Sequence, residues 1–284
     1  MTRLPKMLKI RDGPSLERAT LVLALSGWMD GGDVSTGTVT RLVHLLDAKP
    51  FAEIDPEPFF IYNMPGSMEI ASLFRPQVEI QEGIVQGVRM PANTFYVHAP
   101  ADLVLFLGKE PNLRWRSFGR CIFAVAREVG VERILFVGSF GGSVPHTREP
   151  RLFVACSDPA CLPEMRKYGF RPSTYSGPGS FTSYLMSRAE SAGIEVVSLV
   201  AEIPSYLQGP NPMSIEAVTR RLAKILRLPR HLDLDSLRTA STTWELEVSA
   251  AVEANAELAK TVRALEEEYD NELIAREEPG STSW

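Results

Sequence analysis

A chain of 284 residues with 44% apolar and 23% charged residues can bury a sizeable core, as one large α/β domain or as a domain with an appendage. Its 30 basic and 35 acidic residues leave a formal charge of −5, and no basic stretch or basic amphipathic helix points to nucleic acid or a membrane surface. The longest uninterrupted apolar runs, such as Leu21 to Leu25 and Leu103 to Leu107, are too short to cross a bilayer. Lys6, Lys9, Arg11 and Asp12 lead into no signal-peptide core, so a cytoplasmic location is expected. Cys121, Cys156 and Cys161 match neither a disulfide framework nor a zinc spacing, and read as small apolar fillers.

Leu21 to Leu25 predicts a buried strand, and Val39, Leu42, Val43 and Leu46 give the next segment a helical period. The Pro- and aromatic-rich run from Phe51 to Pro65 predicts an ordered loop with a short strand, and Val85 to Pro91 and Thr94 to Val97 predict edge strands. Leu103 to Leu107, a helix marked by Phe118, Ile122, Val125 and Val129 and ended by Gly130, and Ile134 to Val137 form a β-α-β crossover with parallel strands. Leu152 to Cys156 predicts a further strand. A helix opens at Ser180 and ends at Gly193, and Glu195 to Ala201 predicts the last good strand. Asn211-Pro212 reads as an N-cap with proline in the first turn of a helix through Ile225.

From Leu232 onward the character changes. Trp244, Val248, Ala251, Asn255, Leu258, Val262, Leu265 and Tyr269 form a heptad seam, which either packs on the parent domain or pairs with another chain. Asn255 within the seam is a candidate for fixing the register of paired helices. The expected organisation is an α/β domain over 1–231, a helical segment over 232–275 and a disordered tail over 276–284. The fold class is α/β: a three-layer α/β/α sandwich with a mainly parallel central sheet.

Four patches of unusual chemistry follow predicted strand ends, and in a parallel sheet those ends share one edge where ligands bind. In Gly27 to Asp33, the glycines let the backbone approach a ligand. Trp28 adds a ring, and Asp30 is a candidate base or hydrogen-bond acceptor, with capping of the next helix by Asp33 and Ser35 the alternative. Glu53 and Asp55 add carboxylates nearby, but no His or Cys stands at ligand spacing, so no metal site is assigned and no cofactor can be named. Asn112 reads as a cap or a ligand contact. Arg114 and Trp115, at a helix start, suit an anion and a planar group, or core packing in the case of Trp115. In the run from Gly138 to Arg148, His146 is the candidate proton shuttle, with Thr147 and Arg148 beside it; its glycines fit neither a phosphate loop nor a dinucleotide fingerprint. Glu202 to Pro212 supplies the fourth patch. No serine-nucleophile elbow is present.

These residues resemble the proteasome assembly chaperone family in its prokaryotic branch. The resemblance is carried by Gly27-Trp28 with Asp30, Glu53-x-Asp55-Pro56, Pro111-Asn112-x-Arg114-Trp115, Val144-Pro145-His146-Thr147-Arg148, Gly177-Pro178, Pro204-x-Tyr206 and Asn211-Pro212. It implies a fold similar to the nucleoside phosphorylase and peptidyl-tRNA hydrolase group, with frequent homo-oligomers, and it adds Gly177 and Asn211 to the ligand candidates. Two functional expectations stand side by side. One is an oligomeric binding or assembly protein with a polar pocket at the strand rim and a protein partner. The other is a small-molecule enzyme or binder for a nucleoside-like, phosphorylated or other small anionic ligand, using Asp30 and His146. A large exposed apolar patch away from the rim favours the first, an enclosed polar pocket the second.

Overall fold

Continuous apolar runs of four to eight residues have no solvent face to offer, and the chain buries them as the inner strands of one sheet. The computed structural model describes residues 5–11, 13–229 and 232–277. The first half runs β1 (Leu8–Ile10), β2 (Ala19–Ser26), α1 (Val34–Leu45), β3 (Lys49–Ile54), α2 (Met68–Ser72), β4 (Gln77–Gln81), β5 (Ile84–Arg89), β6 (Thr94–His98), β7 (Leu103–Lys109) and α3 (Trp115–Glu128). The second half runs β8 (Val131–Gly142), β9 (Leu152–Cys156), α4 (Leu162–Lys167), β10 (Arg171–Pro172), α5 (Phe181–Met186), α6 (Ala189–Ala192), β11 (Glu195–Pro204), α7 (Pro212–Ile225), α8 (Asp235–Glu253) and α9 (Ala256–Glu277).

Among the described residues, nine strands form one sheet in the order β1-β3-β6-β7-β2-β8-β11-β9-β10. The four expected central strands, β7, β2, β8 and β11, lie side by side and parallel. Antiparallel pairings attach β6, β3 and β1 on one flank and β9 on the other. Alternation along each inner strand makes two cores. Leu21, Leu23, Phe106, Ile134 and Phe136 face α3 and α5, whose Phe118, Ile122, Phe181 and Leu185 cover them. Val22, Ala24, Leu105, Leu135, Val137 and Leu199 face α1 and α7, which contribute Val39, Leu42, Val218 and Leu222. This is the α/β/α sandwich that the sequence predicts.

Four expectations need correction. β6 is interior to the sheet, paired to both β3 and β7, because its Phe95 is fully buried against Phe51 and Phe106. The Val85 segment, as β5, joins β4 in a separate two-stranded hairpin instead of edging the main sheet. Cys156 and Cys161 are disulfide-bonded with Cα atoms 6.7 Å apart, while Cys121 stays a buried free thiol. Their bridge escapes a reading of cysteine counts, because the turn from β9 into α4 is what brings the two together. The C-terminal seam is two helices: α8 ends at Glu253, and Asn255 Oδ1 accepts from Leu258 N at 3.1 Å, capping α9. A side chain that caps a new helix cannot set the register of a continuous one. α9 runs to Glu277, and the rest of the expected tail lies outside the described residues.

The chain folds back at that cap. Ser249 reaches His146 while Glu266 reaches Thr147, whereas in one straight helix they would be about 26 Å apart. Leu237, Val252, Val262 and Tyr269 are buried within the chain, so both helices pack on their own parent body. No helix among the described residues is long and apolar enough to cross a membrane.

Candidate functional site

The parallel strands do place the four patches along one edge, but β8 and β11 run on, paired through Gly142 and Pro204, well past the ends of β2 and β7. The Gly138–Gly142 stretch is therefore strand, and the rim splits into two clusters.

The first cluster is organised by Glu110, which follows β7. One carboxylate oxygen accepts from Trp28 N at 3.1 Å, the other from Phe181 N at 2.7 Å. It thus ties the loop after β2 and the start of α5 to the end of β7. Gly27 makes room for this: its φ is +133°, and a Cβ there would lie 3.1 Å from Glu110 Cβ. Beside it, Asn112 caps no helix; its Oδ1 accepts from Ile61 N at 3.2 Å, holding the aromatic loop after β3. Trp115 is a packing residue, edge-on to Phe181 at 5.8 Å, its indole N–H donating to Pro111 O at 2.7 Å. Arg114 takes a left-handed φ of +55° at the start of α3 and projects into solvent. Trp28 is 64% exposed and Leu113 45%. Gly177 lies on the exposed turn leading to α5, where Tyr175 donates to Pro178 O at 3.1 Å. Glu53 sits near the end of β3, opposite Thr94 of β6, on the same sheet edge two strands beyond β7.

Asp30, not Asp33, satisfies the start of α1. Its carboxylate accepts from Thr36 N at 3.0 Å and from Thr36 Oγ1 at 2.7 Å, whereas Asp33 has a left-handed φ and makes no side-chain cap. Burial pushes the Asp30 carboxyl up from 3.8 to about 6, outweighing both Thr36 bonds. Next to it, buried Ser139 fastens the same loop twice, its hydroxyl donating to Gly31 O at 2.6 Å and its backbone N–H to Met29 O at 2.9 Å. Gly32, at φ +63°, packs so tightly on Asn211 that a Cβ would come within 2.8 Å of the asparagine Cβ. Asn211 itself is the expected cap, its Oδ1 accepting from Ser214 N at 2.9 Å.

The second cluster surrounds His146. Tyr206 Oη accepts from His146 N at 2.9 Å and lies 2.8 Å from Nδ1; Nε2 lies 3.1 Å from Ser249 Oγ on α8. Each ring nitrogen thus meets one hydroxyl, a pair of partners that suits either neutral tautomer because each hydroxyl can donate or accept. Burial lowers its pKa, against the opposing pull of Glu266 and Glu245. Trp244 stands edge-on to the ring at 6.5 Å. Thr147 donates to Glu266, and Arg148 forks onto Asp270 at 2.9 and 2.8 Å. The space among Val144, His146, Asn211 and Trp244 has no volume for a water molecule. His146, Thr147 and Arg148 thus fasten α8 and α9.

Asp30, Arg114 and His146 share no partner among the described residues: the first caps a helix, the second faces solvent, the third lies under α8. No group of three His, Cys, Asp or Glu among the described residues could hold a metal. Glu110, Ser139, Glu202 and Tyr206 organise the rim without being among its expected site residues. Of these, Glu110 carries a sequence signal, an acidic residue close behind an apolar strand. Glu202 is buried, accepts from Ser143 N at 2.7 Å and pairs with buried Arg151 at 3.2 Å, continuing the belt that holds α9 through Glu272.

The model of the PAC2 family matches residues 24–252. Among solved structures, a Mycobacterium tuberculosis protein of unknown function, Rv2714, is 26% identical, with 97% of this chain and 92% of that one covered and a TM-score of 0.83. The Mycobacterium tuberculosis proteasome-assembly chaperone homologue Rv2125 is 29% identical, with 86% and 99% covered and a TM-score of 0.73. A PAC2 family protein of Streptomyces avermitilis is 28% identical, with 86% and 99% covered and a TM-score of 0.71. No curated protein matches the chain. With the family model covering most of its length and these structures sharing its fold, the chain belongs to the PAC2 family.

Proposed function

We propose that this chain is a cytoplasmic, oligomeric binding and assembly protein whose target is another protein, of the proteasome-assembly kind named for its relative Rv2125. The observation that carries this reading is the surface around Glu110. Beneath it, polar groups are spent on joining loops, while Trp28, Leu113 and Arg114 stand outward. Trp and Arg with an apolar neighbour are the composition of a protein-binding hot spot. A catalytic rim needs its acids and bases open to a substrate, and here Asp30 is spent on the start of α1 and His146 is buried in a space too small for a water molecule.

The test mixes the purified chain with proteasome core-particle subunits of the same source and reads complexes by native mass spectrometry. Binding that falls at least tenfold in Trp28→Ala and in Arg114→Ala supports the reading. Absence of any complex, or one indifferent to both changes, overturns it. A second reading, a binder of a small anionic or nucleoside-like ligand, is favoured by one feature. A groove of about 380 Å³ between α3 and the α5–α6 segment is lined by Arg116, Arg120, Arg127 and Arg188, with Tyr184 beside them. Native mass spectrometry on protein purified without added ligand separates the two, since only this second reading expects a retained small molecule.

A further inference from the structure

Where arginines hold this fold together they meet carboxylates: Arg133, Arg148, Arg151, Arg220 and Arg221 each form an ion pair. The groove between α3 and the α5–α6 segment breaks that habit. Arg116, Arg120, Arg127 and Arg188 line it, and none of the four forms an ion pair among the described residues. Arg120 Nη2 donates to Ser117 Oγ at 3.1 Å, and the Arg188 guanidinium lies over the Tyr184 ring at 5.5 Å. Neither partner carries a charge. Helix geometry sets the pattern: Arg116, Arg120 and Arg127 fall within about 40° of one line along α3 and span ~16 Å of it. Arg188, at the start of α6, stands on the other wall. Gly119 lets the walls approach, since a Cβ there would lie 3.3 Å from the side chains of both Leu185 and Tyr184. Four like charges around a groove of about 380 Å³ repel one another, and an anion seated among them turns that cost into attraction.

The rest of the lining narrows the ligand. Its side chains offer no carboxylate and no amide, and only the hydroxyls of Tyr184 and Ser191 can accept a hydrogen bond. A purine base or an extended peptide brings N–H groups that need acceptors, whereas a phosphate brings acceptor oxygens alone. Guanidinium forks match phosphate oxygens two by two, and a row of ~16 Å is longer than a single phosphate can use. We propose that this groove binds an oligophosphate, a chain of two or more linked phosphates, through Arg116, Arg120, Arg127 and Arg188. It holds the phosphates and leaves any attached nucleoside unread, so nucleoside polyphosphates and inorganic polyphosphate share the chemistry it selects.

The inference rests on the second reading above, that of a small-anion binder. Isothermal titration of the full wild-type chain with inorganic tripolyphosphate should show binding that weakens at least tenfold as salt rises from about 0.05 to 0.5 M. Arg116→Gln with Arg120→Gln should weaken it at least tenfold with an unchanged circular dichroism spectrum, because both side chains are exposed. Arg238→Gln with Arg263→Gln, equal in charge but on α8 and α9, should leave it intact. ATP and GTP should match tripolyphosphate within about threefold, and adenosine should not bind. Affinity that levels off at three phosphates assigns nucleotides as the source; affinity that keeps rising with longer inorganic chains assigns polyphosphate. No binding of tripolyphosphate, binding indifferent to the first double change or equally lost in the second, or affinity set by the base overturns the proposal. A retained small molecule without phosphorus, found by native mass spectrometry, also overturns it while leaving the broader small-anion reading in place.

Discussion

Replacing Asp30 by asparagine keeps the shape of the α1 cap and removes its charge. The amide oxygen of the replacement still accepts from Thr36 N, and its NH₂ can donate to Thr36 Oγ1, whose hydroxyl is free to turn. Burial pushes the wild-type carboxyl from 3.8 to about 6, despite two hydrogen bonds that pull it down. At about 1.36 kcal/mol per unit that corresponds to roughly 3 kcal/mol, and residual solvent contact reduces the usable figure to about 1–2 kcal/mol. The sign follows from linkage. The folded protein holds this proton more tightly than the unfolded chain, so the stability Asp30 contributes is full in acid and is lost as pH rises from about 4 through about 6. Asp30→Asn should therefore be more stable than wild type by about 1–2 kcal/mol at pH 8, with the advantage fading towards pH 4. Urea unfolding followed by circular dichroism at both pH values measures the difference. An offset that does not change with pH, or a variant less stable at pH 8, would refute the assignment of burial as the dominant effect.

Glu110→Ala leaves the N–H groups of Trp28 and Phe181 without their acceptor and should cost about 2–3 kcal/mol, read by urea unfolding; a loss under about 0.5 kcal/mol contradicts its joining role. Because burial lowers the pKa of His146, the stability it lends is present above about pH 6.5 and lost as pH falls through the lowered folded value. The protection of α8 amides, taken as exchange relative to the intrinsic rate at each pH, should accordingly fall in acid in wild type, and protection indifferent to acid counts against the sealed imidazole. Thiol titration of protein denatured without reductant should find one reactive group, Cys121, whose thiol is pushed up to about 12 by burial in the native state; three would disprove the Cys156–Cys161 bridge. Removing the chain after Leu232 strips the cover from His146 and Arg148, so the shortened protein should melt lower or precipitate, and an unchanged melting temperature would contradict intrachain packing of α8 and α9.

The central strands and the helices between them were legible because burial on both faces leaves a local signature: Leu21 to Leu25 and Ile134 to Val137 are short runs apolar at every position, as a strand covered on both faces requires. The Gly130 turn and the Asn211-Pro212 cap were equally local, each fixed by a residue's own backbone preference and one short-range bond. The role of Glu110 was not, since its two donors are 82 and 71 residues away and meet only where β2, β7 and α5 converge. Likewise Asp30 displaced Asp33 as the cap because the chain takes a tight turn before α1, and Asn255 capped a helix because α9 turns back to reach Glu149 and Arg148. His146, Thr147 and Arg148 look the same in sequence whether they face a ligand or a helix. Only the docking of α8 and α9 over them decided that, because a side chain's role depends on what arrives beside it from far along the chain.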